Sequence, residues 1–134
     1  MDGEFLKVFD NPEAIECLEE LQEDIYLLAT MKSAFEYAIE TELLIVHDAR
    51  IILTYAAIID IVLNDVYYAS ETELHLSWIK SLKNINFASI TPLAIQALEK
   101  TISDKSELNS EYSEDESFYK NWKNDILTLI NHLK

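Results

Sequence analysis

The sequence predicts an all-α fold, a single-domain compact bundle of about six or seven helices around a buried central helix at residues 49–63. Three observations carry that prediction. The run from Ala49 to Leu63, ARIILTYAAIIDIVL, is apolar on nearly every side at 100° per residue, with only Arg50, Thr54 and Asp60 interrupting it. A helix apolar all round must be buried all round; the run is long for a strand and shorter than the roughly 20 residues a membrane span needs. A single glycine and two prolines leave few sharp turns for a sheet-rich chain. Elsewhere apolar residues recur at three- and four-residue spacing between helix-capping signals.

Asp10-Asn11-Pro12-Glu13 opens the first helix, with Asp10 or Asn11 as N-cap, Pro12 at the first helical position and Phe9 as a staple. It runs to about Leu21 on an inner stripe of Ala14, Ile15, Cys17, Leu18 and Leu21. A second helix, about Asp24 to Thr41, is expected to bury Ile25, Leu28, Phe35, Ala38 and Ile39 and to expose Glu36 and Glu40. Asp48 is the expected cap of the central helix, which Asn64-Asp65 closes. Val66 to Ser70 is a connector carrying Tyr67 and Tyr68. Thr72-Glu73 opens a fourth helix with Leu74, Trp78, Ile79 and Leu82 inward, stopping near residues 84–86. Thr91-Pro92 repeats the cap-then-proline signal and starts a fifth helix through about Ser103. A helical turn from Ser106 to Tyr112 follows. The last helix, Ser117 to His132, packs Phe118, Trp122, Ile126, Leu129, Ile130 and Leu133.

At 134 residues the chain has the size of one ordinary domain and can bury a real core without disulfides or metal. Cys17 is the only cysteine, so it neither closes an internal disulfide nor completes a thiolate cage. With no basic leader and no long apolar run in MDGEFLKVFDN, the expected location is the cytoplasm.

Charge is the loudest feature of the composition. Twenty-five acids face ten bases, a formal net charge of −15. The imbalance is concentrated in residues 1–48, where 13 acids face only Lys7 and Lys32. Like-charge pairs four apart, Glu16 with Glu20, Glu19 with Glu23 and Glu20 with Asp24, each cost a helix a few tenths of a kcal/mol, about what an opposite pair would contribute. Such a surface repels nucleic acid and anionic lipid and attracts basic partners.

Signals for catalysis are weak. His47, His75 and His132 fall on different expected elements, and none stands in an H-E-x-x-H or E-x-x-H spacing. Glu71 and His75, four apart, read as solvated helix-face residues. With Gly3 as the only glycine there is no G-x-S-x-G, P-loop or G-x-G-x-x-G. Ser106 before Glu107 has the look of a helix cap, not of a nucleophile beside its base. The acid pairs Glu36/Glu40 and Glu16/Glu20 face outward and lack the E-x-x-H partners of a di-metal bundle. No catalytic residue, cofactor or metal ligand is expected, and the chain does not read as an enzyme.

Three blocks in order carry a family resemblance: Phe9-Asp10-Asn11 leading into a helix, Leu53-Thr54-Tyr55-Ala56-Ala57 ending near Asp60, and Ala94, Ala97-Leu98, Ser106-Glu107-Leu108, Trp122, Leu129 and Leu133. Together they resemble a widespread bacterial family of small acidic helical proteins known as a domain of unknown function. The resemblance covers nearly the whole chain and implies a bacterial protein of a kind frequent among antitoxins and immunity proteins.

Charge and resemblance lead to one expectation: an immunity protein or antitoxin that occludes a basic bacterial toxin, such as the nuclease domain of a contact-dependent growth inhibition or other polymorphic toxin system. Glu16, Glu19, Glu20, Glu23, Asp24, Glu36 and Glu40 would supply ion pairs. Tyr26, Tyr67 and Tyr68 would be exposed anchors, since hot spots favour tyrosine. The plainer reading of each tyrosine is a rim residue with its hydroxyl in water. The expected partner is protein alone, with neither nucleic acid nor membrane, and the protein would be a monomer when bound and free to homodimerise otherwise. The rival expectation is a helical scaffold or self-associating protein with no toxin partner.

Overall fold

The computed structural model describes residues 8–9, 11–68 and 73–134, with backbone alone for 73–75. The expected roles of Asp10, Glu71, Thr72, Leu74 and His75 lie outside the described residues or side chains. The described helices are α1 (Pro12–Gln22), α2 (Leu27–Glu40), α3 (Val46–Asn64), α4 (Glu73–Lys80), α5 (Thr91–Thr101), α6 (Glu107–Tyr112) and α7 (Glu116–Leu133), with 3₁₀ turns at Ser81–Asn84 and Phe87–Ser89. The fold is all-α, as expected.

α3 is the axis of the bundle and packs against each of the other six helices. Ala49 and every residue from Ile52 to Ile61 are buried, including the polar side chains Thr54 and Asp60. Burying apolar side chains on all sides is the dominant favourable term in folding. Thr54 costs little there because its hydroxyl donates to the Arg50 carbonyl at 2.9 Å. α3 starts three residues earlier than expected. Ile45 occupies the N-cap position without a side-chain bond, and Asp48 sits inside the first turn, where a carboxylate favours the positive end of the helix dipole. Asp65 closes the helix in the left-handed region, φ 52° and ψ 39°, a conformation Asp tolerates better than most residues.

Side-chain caps mark the starts of α1, α6 and α7. Asn11 Oδ1 accepts the Ala14 N–H at 2.8 Å, and Ser106 Oγ accepts that of Asn109 at 3.3 Å, both as expected of caps. The fifth helix departs from expectation: Ile90 holds the cap position, and the Thr91 hydroxyl donates back to the Phe87 carbonyl at 3.0 Å, bracing the 3₁₀ turn. Asp115 caps α7, whose Phe118 is half exposed, against expectation, because it stacks edge-on to Tyr112 at the rim instead of entering the core. Leu44 joins the α2–α3 loop to the segment before α6 by donating to Lys105 and accepting from Glu107.

Candidate partner-binding surface

Pro12 and the Asn11 cap set α1 so that Ala14, Cys17, Leu18 and Leu21 face α3. At 100° per residue, that orientation puts Glu16, Glu19, Glu20 and Glu23 within a sector of roughly 100° on the opposite side. All four are exposed. Glu13, one turn earlier, is drawn off this face by Arg50, whose Nη1 donates to Oε1 at 3.2 Å. No base lies in the last turn of α1, so Glu19, Glu20 and Glu23 also sit at the negative end of its dipole. Their field reaches inward. Cys17, hydrogen-bonded to Tyr55, has its thiol pKa pushed up to about 11, first by burial and further by Glu20 and Glu16.

The chain then turns through residues 23–26, and Asp24 fixes the turn. One carboxylate oxygen accepts the Tyr26 N–H at 2.7 Å and the other the Thr30 hydroxyl at 2.5 Å. Asp24 therefore positions the corner and is only partly a free surface charge. α2 starts at Leu27, not Asp24, which shifts the preceding residues off its helical face. Ile25, expected in the core, is 85% exposed, and Tyr26, expected outside, is 71% exposed. Behind them opens a groove of about 570 Å³ between the α1–α2 corner and the segment from Trp78 to Asn86.

The other expected contact residues stand on other elements. Glu36 and Glu40 are exposed, but they lie on α2, with Lys32 one turn before Glu36 on the same face. Tyr67 is exposed and lines a different depression, of about 210 Å³, together with Lys80 and, among the described residues, no carboxylate. Tyr68 is not exposed. It is 1% accessible, packs edge-on against Phe9 at 5.9 Å and donates its hydroxyl to Asp60 Oδ2 at 2.8 Å. The reason lies in Asp60: a buried carboxyl needs donors, and the connector tyrosine swings inward to supply one.

That cluster is the part of the molecule sequence reasoning missed. Asp60 Oδ1 accepts from Asn64 Nδ2 at 2.7 Å, and Oδ2 lies 3.0 Å from His132 Nδ1. Asn64 also donates to the His132 carbonyl at 3.1 Å. The one available signal was a lone acid inside an apolar helix, which had to find partners from elsewhere. An aspartate beside a histidine invites a general-base reading. Here both carboxyl oxygens are engaged by side chains that fasten α7 and the connector to α3, a role in holding the fold. Cys17, Tyr55 and Tyr68 all have pKa values raised chiefly by burial, which keeps them protonated and inert near neutrality. Among the described residues no three His, Cys, Asp or Glu side chains converge in a metal-holding group, and no helix is long and apolar enough to cross a membrane.

The family model described as "Domain of unknown function (DUF4259)" matches residues 6–125. No curated protein and no solved structure matches the chain.

Proposed function

The chain belongs to the DUF4259 family, and on that premise we propose that it is a protein-binding inhibitor, an immunity protein or antitoxin whose acidic α1 face covers a basic toxin domain such as a nuclease. One observation supports this above the others: four exposed glutamates on one face of α1 end directly at an exposed Ile25-Tyr26 corner. Charge of one sign steers an oppositely charged partner and raises its association rate. Tyrosine and a large aliphatic side chain at the edge of such a field are what a desolvated contact needs as anchors. The glutamates repel one another and oppose the helix dipole, so the arrangement costs stability that a partner's lysines and arginines would return. Within this reading Glu16, Glu19, Glu20, Glu23 and Tyr26 make the contact. Asp24 holds the corner, and Glu36, Glu40 and Tyr67 lie outside it or at its margin.

The rival reading, a self-associating scaffold, draws on the same exposed Ile25. It is disfavoured by charge, because two copies meeting through this face would oppose eight glutamates across one contact. Affinity capture from the producing bacterium at low and high salt tests the choice. A basic protein retained at low salt, released at high salt and lost when Glu16, Glu19, Glu20 and Glu23 are reversed to lysine supports the inhibitor. Retention indifferent to both changes removes it.

A further inference from the structure

Among the described residues Ile25 is the most exposed of the large apolar side chains, 85% accessible, yet it lines an apolar groove that could cover it. Leu28, Trp78, Leu82 and Ile85, which line that groove with it, are only half buried. Ile25 lying in the groove would remove apolar surface from water on both sides. What holds it away is Asp24. The Asp24 backbone N–H donates to the Leu21 carbonyl at 3.1 Å, which ties the residue to the last turn of α1. Its carboxylate meanwhile accepts the Tyr26 N–H at 2.7 Å and the Thr30 hydroxyl at 2.5 Å, at the start of α2. With these bonds made, residues 25 and 26 form a turn and α2 begins at Leu27. Carried one turn further back, the same helix would set Ile25 three residues before Leu28 and four before Ala29, and both of those line the groove.

We propose that Asp24 and Thr30 form a latch that holds this corner open, and that releasing it lets residues 25 and 26 join α2 and turns Ile25 into the groove against Trp78 and Leu82. The two states are opposed by terms of similar size. Two hydrogen bonds to a charged acceptor, near the positive end of the α2 dipole, stand against the burial of one isoleucine. The open state leaves the groove partly wetted and displays Ile25. The closed state fills the groove and withdraws Ile25 from the surface. Under the inhibitor reading, on which this consequence alone rests, the latch presents the anchor before a partner arrives, and closure switches the contact off.

The test uses the full chain with no partner present. Asp24→Ala deletes both latch bonds, and Thr30→Val deletes one while keeping the shape of the side chain. Asp24→Asn is the control: its amide oxygen still accepts the Tyr26 N–H and its amide nitrogen can donate to the Thr30 hydroxyl, so the charge goes and the latch stays. The first readout is a mutant cycle in urea. In the parent and in Asp24→Asn, Ile25→Ala is expected to leave the midpoint in place, because the side chain stands in water. In Asp24→Ala the same substitution is expected to lower the folded-to-unfolded ratio by about tenfold or more, the loss of a buried isoleucine side chain. The second readout is a nuclear Overhauser contact between the Ile25 δ-methyl and the Trp78 indole, expected in Asp24→Ala, weaker in Thr30→Val and absent in the parent. Ile25→Ala that is neutral in every background, with no such contact in either latch variant, overturns the latch. An equal cost in the parent and in Asp24→Ala places Ile25 in the groove already and overturns it as well. Closure in Asp24→Asn makes charge the cause and has the same consequence. Because none of these readouts involves a partner, the latch can fail while the inhibitor reading stands, and the reverse.

Discussion

His132, near the C-terminal end of α7, meets Asp60, one turn before the C-terminal end of α3, across 72 residues of chain, Nδ1 to Oδ2 at 3.0 Å. The carboxyl group is fully buried and also accepts from Tyr68 and Asn64. Partners from three parts of the chain thus converge on one side chain that no apolar pattern would have placed there. Removing the acceptor is expected to hurt more than removing a donor. Asp60→Ala removes the acceptor that Tyr68, Asn64 and His132 share and frees α7, costing about 3–5 kcal/mol, whereas Tyr68→Phe leaves the carboxyl its contacts with Asn64 and His132 and costs about 1–2 kcal/mol. Urea midpoints for both variants check this, and an Asp60→Ala cost below that of Tyr68→Phe would show that the cluster does not fasten the helices.

Lys100 reaches from α5 to the C-terminal end of α2, where its Nζ donates to the carbonyls of Ala38 at 3.1 Å, Ile39 at 3.4 Å and also Thr41. α2 has no base of its own in its last turn, so this one ammonium both satisfies open carbonyls and answers the dipole. Lys100→Met keeps the aliphatic stem and removes the cap. It is expected to lower stability by about 1–2 kcal/mol and to speed amide exchange at Thr41 before exchange in α3 changes.

How far these features could be read from sequence depended on whether their causes were local. Asn11, Ser106 and the run from Ile52 to Ile61 were legible, because a cap acts within one turn and an all-apolar helix has one place to go. Ile25 was misplaced by helical phase: starting α2 at Asp24 puts it on the inner stripe, and the Asp24 side-chain bonds that hold the corner open are invisible to periodicity. Tyr68 was misplaced because its burial answers Asp60 eight residues away. In the candidate site, the glutamate stripe followed from spacing alone. The groove did not, since its far wall comes from residues more than fifty positions later.

Cys17 makes stability fall with alkaline pH. Its thiol, ordinarily near 9.0, is pushed up to about 11 by burial. Between those values the folded protein keeps a proton that the unfolded chain has released. The stabilisation is therefore complete below pH 9 and is lost as pH rises toward 11, by at most about 1.4 kcal/mol per pH unit. Tyr55 and Tyr68, also raised by burial from near 10, add to the loss at the upper end. Cys17→Ala is expected to be less stable than the parent at pH 7 because of the small cavity, with the gap narrowing between pH 9 and pH 11. Denaturant midpoints across that interval give the test, and a constant gap would mean that the buried thiol does not titrate with unfolding.

The last prediction concerns the cost of the acidic face. Glu16, Glu19, Glu20 and Glu23 contain two pairs spaced four apart and two spaced three apart, near the negative end of α1 and without a base in its last turn. Replacing all four by glutamine keeps helix propensity nearly unchanged and removes the repulsion. The free protein is expected to gain roughly 0.2–0.5 kcal/mol per pair relieved, most clearly at low ionic strength, with the gain shrinking as salt screens the charges over about 10 Å or less. The same variant is expected to lose its basic partner. Melting curves at low and high salt, set beside binding of that partner, separate the two effects. A surface kept only for solubility would give up its charge without losing any contact, whereas a binding face gains stability and loses its partner in the same substitution. Unchanged melting at low salt would mean that the glutamates are too well solvated to repel one another, and the stability argument for a partner would then fail even if binding were found.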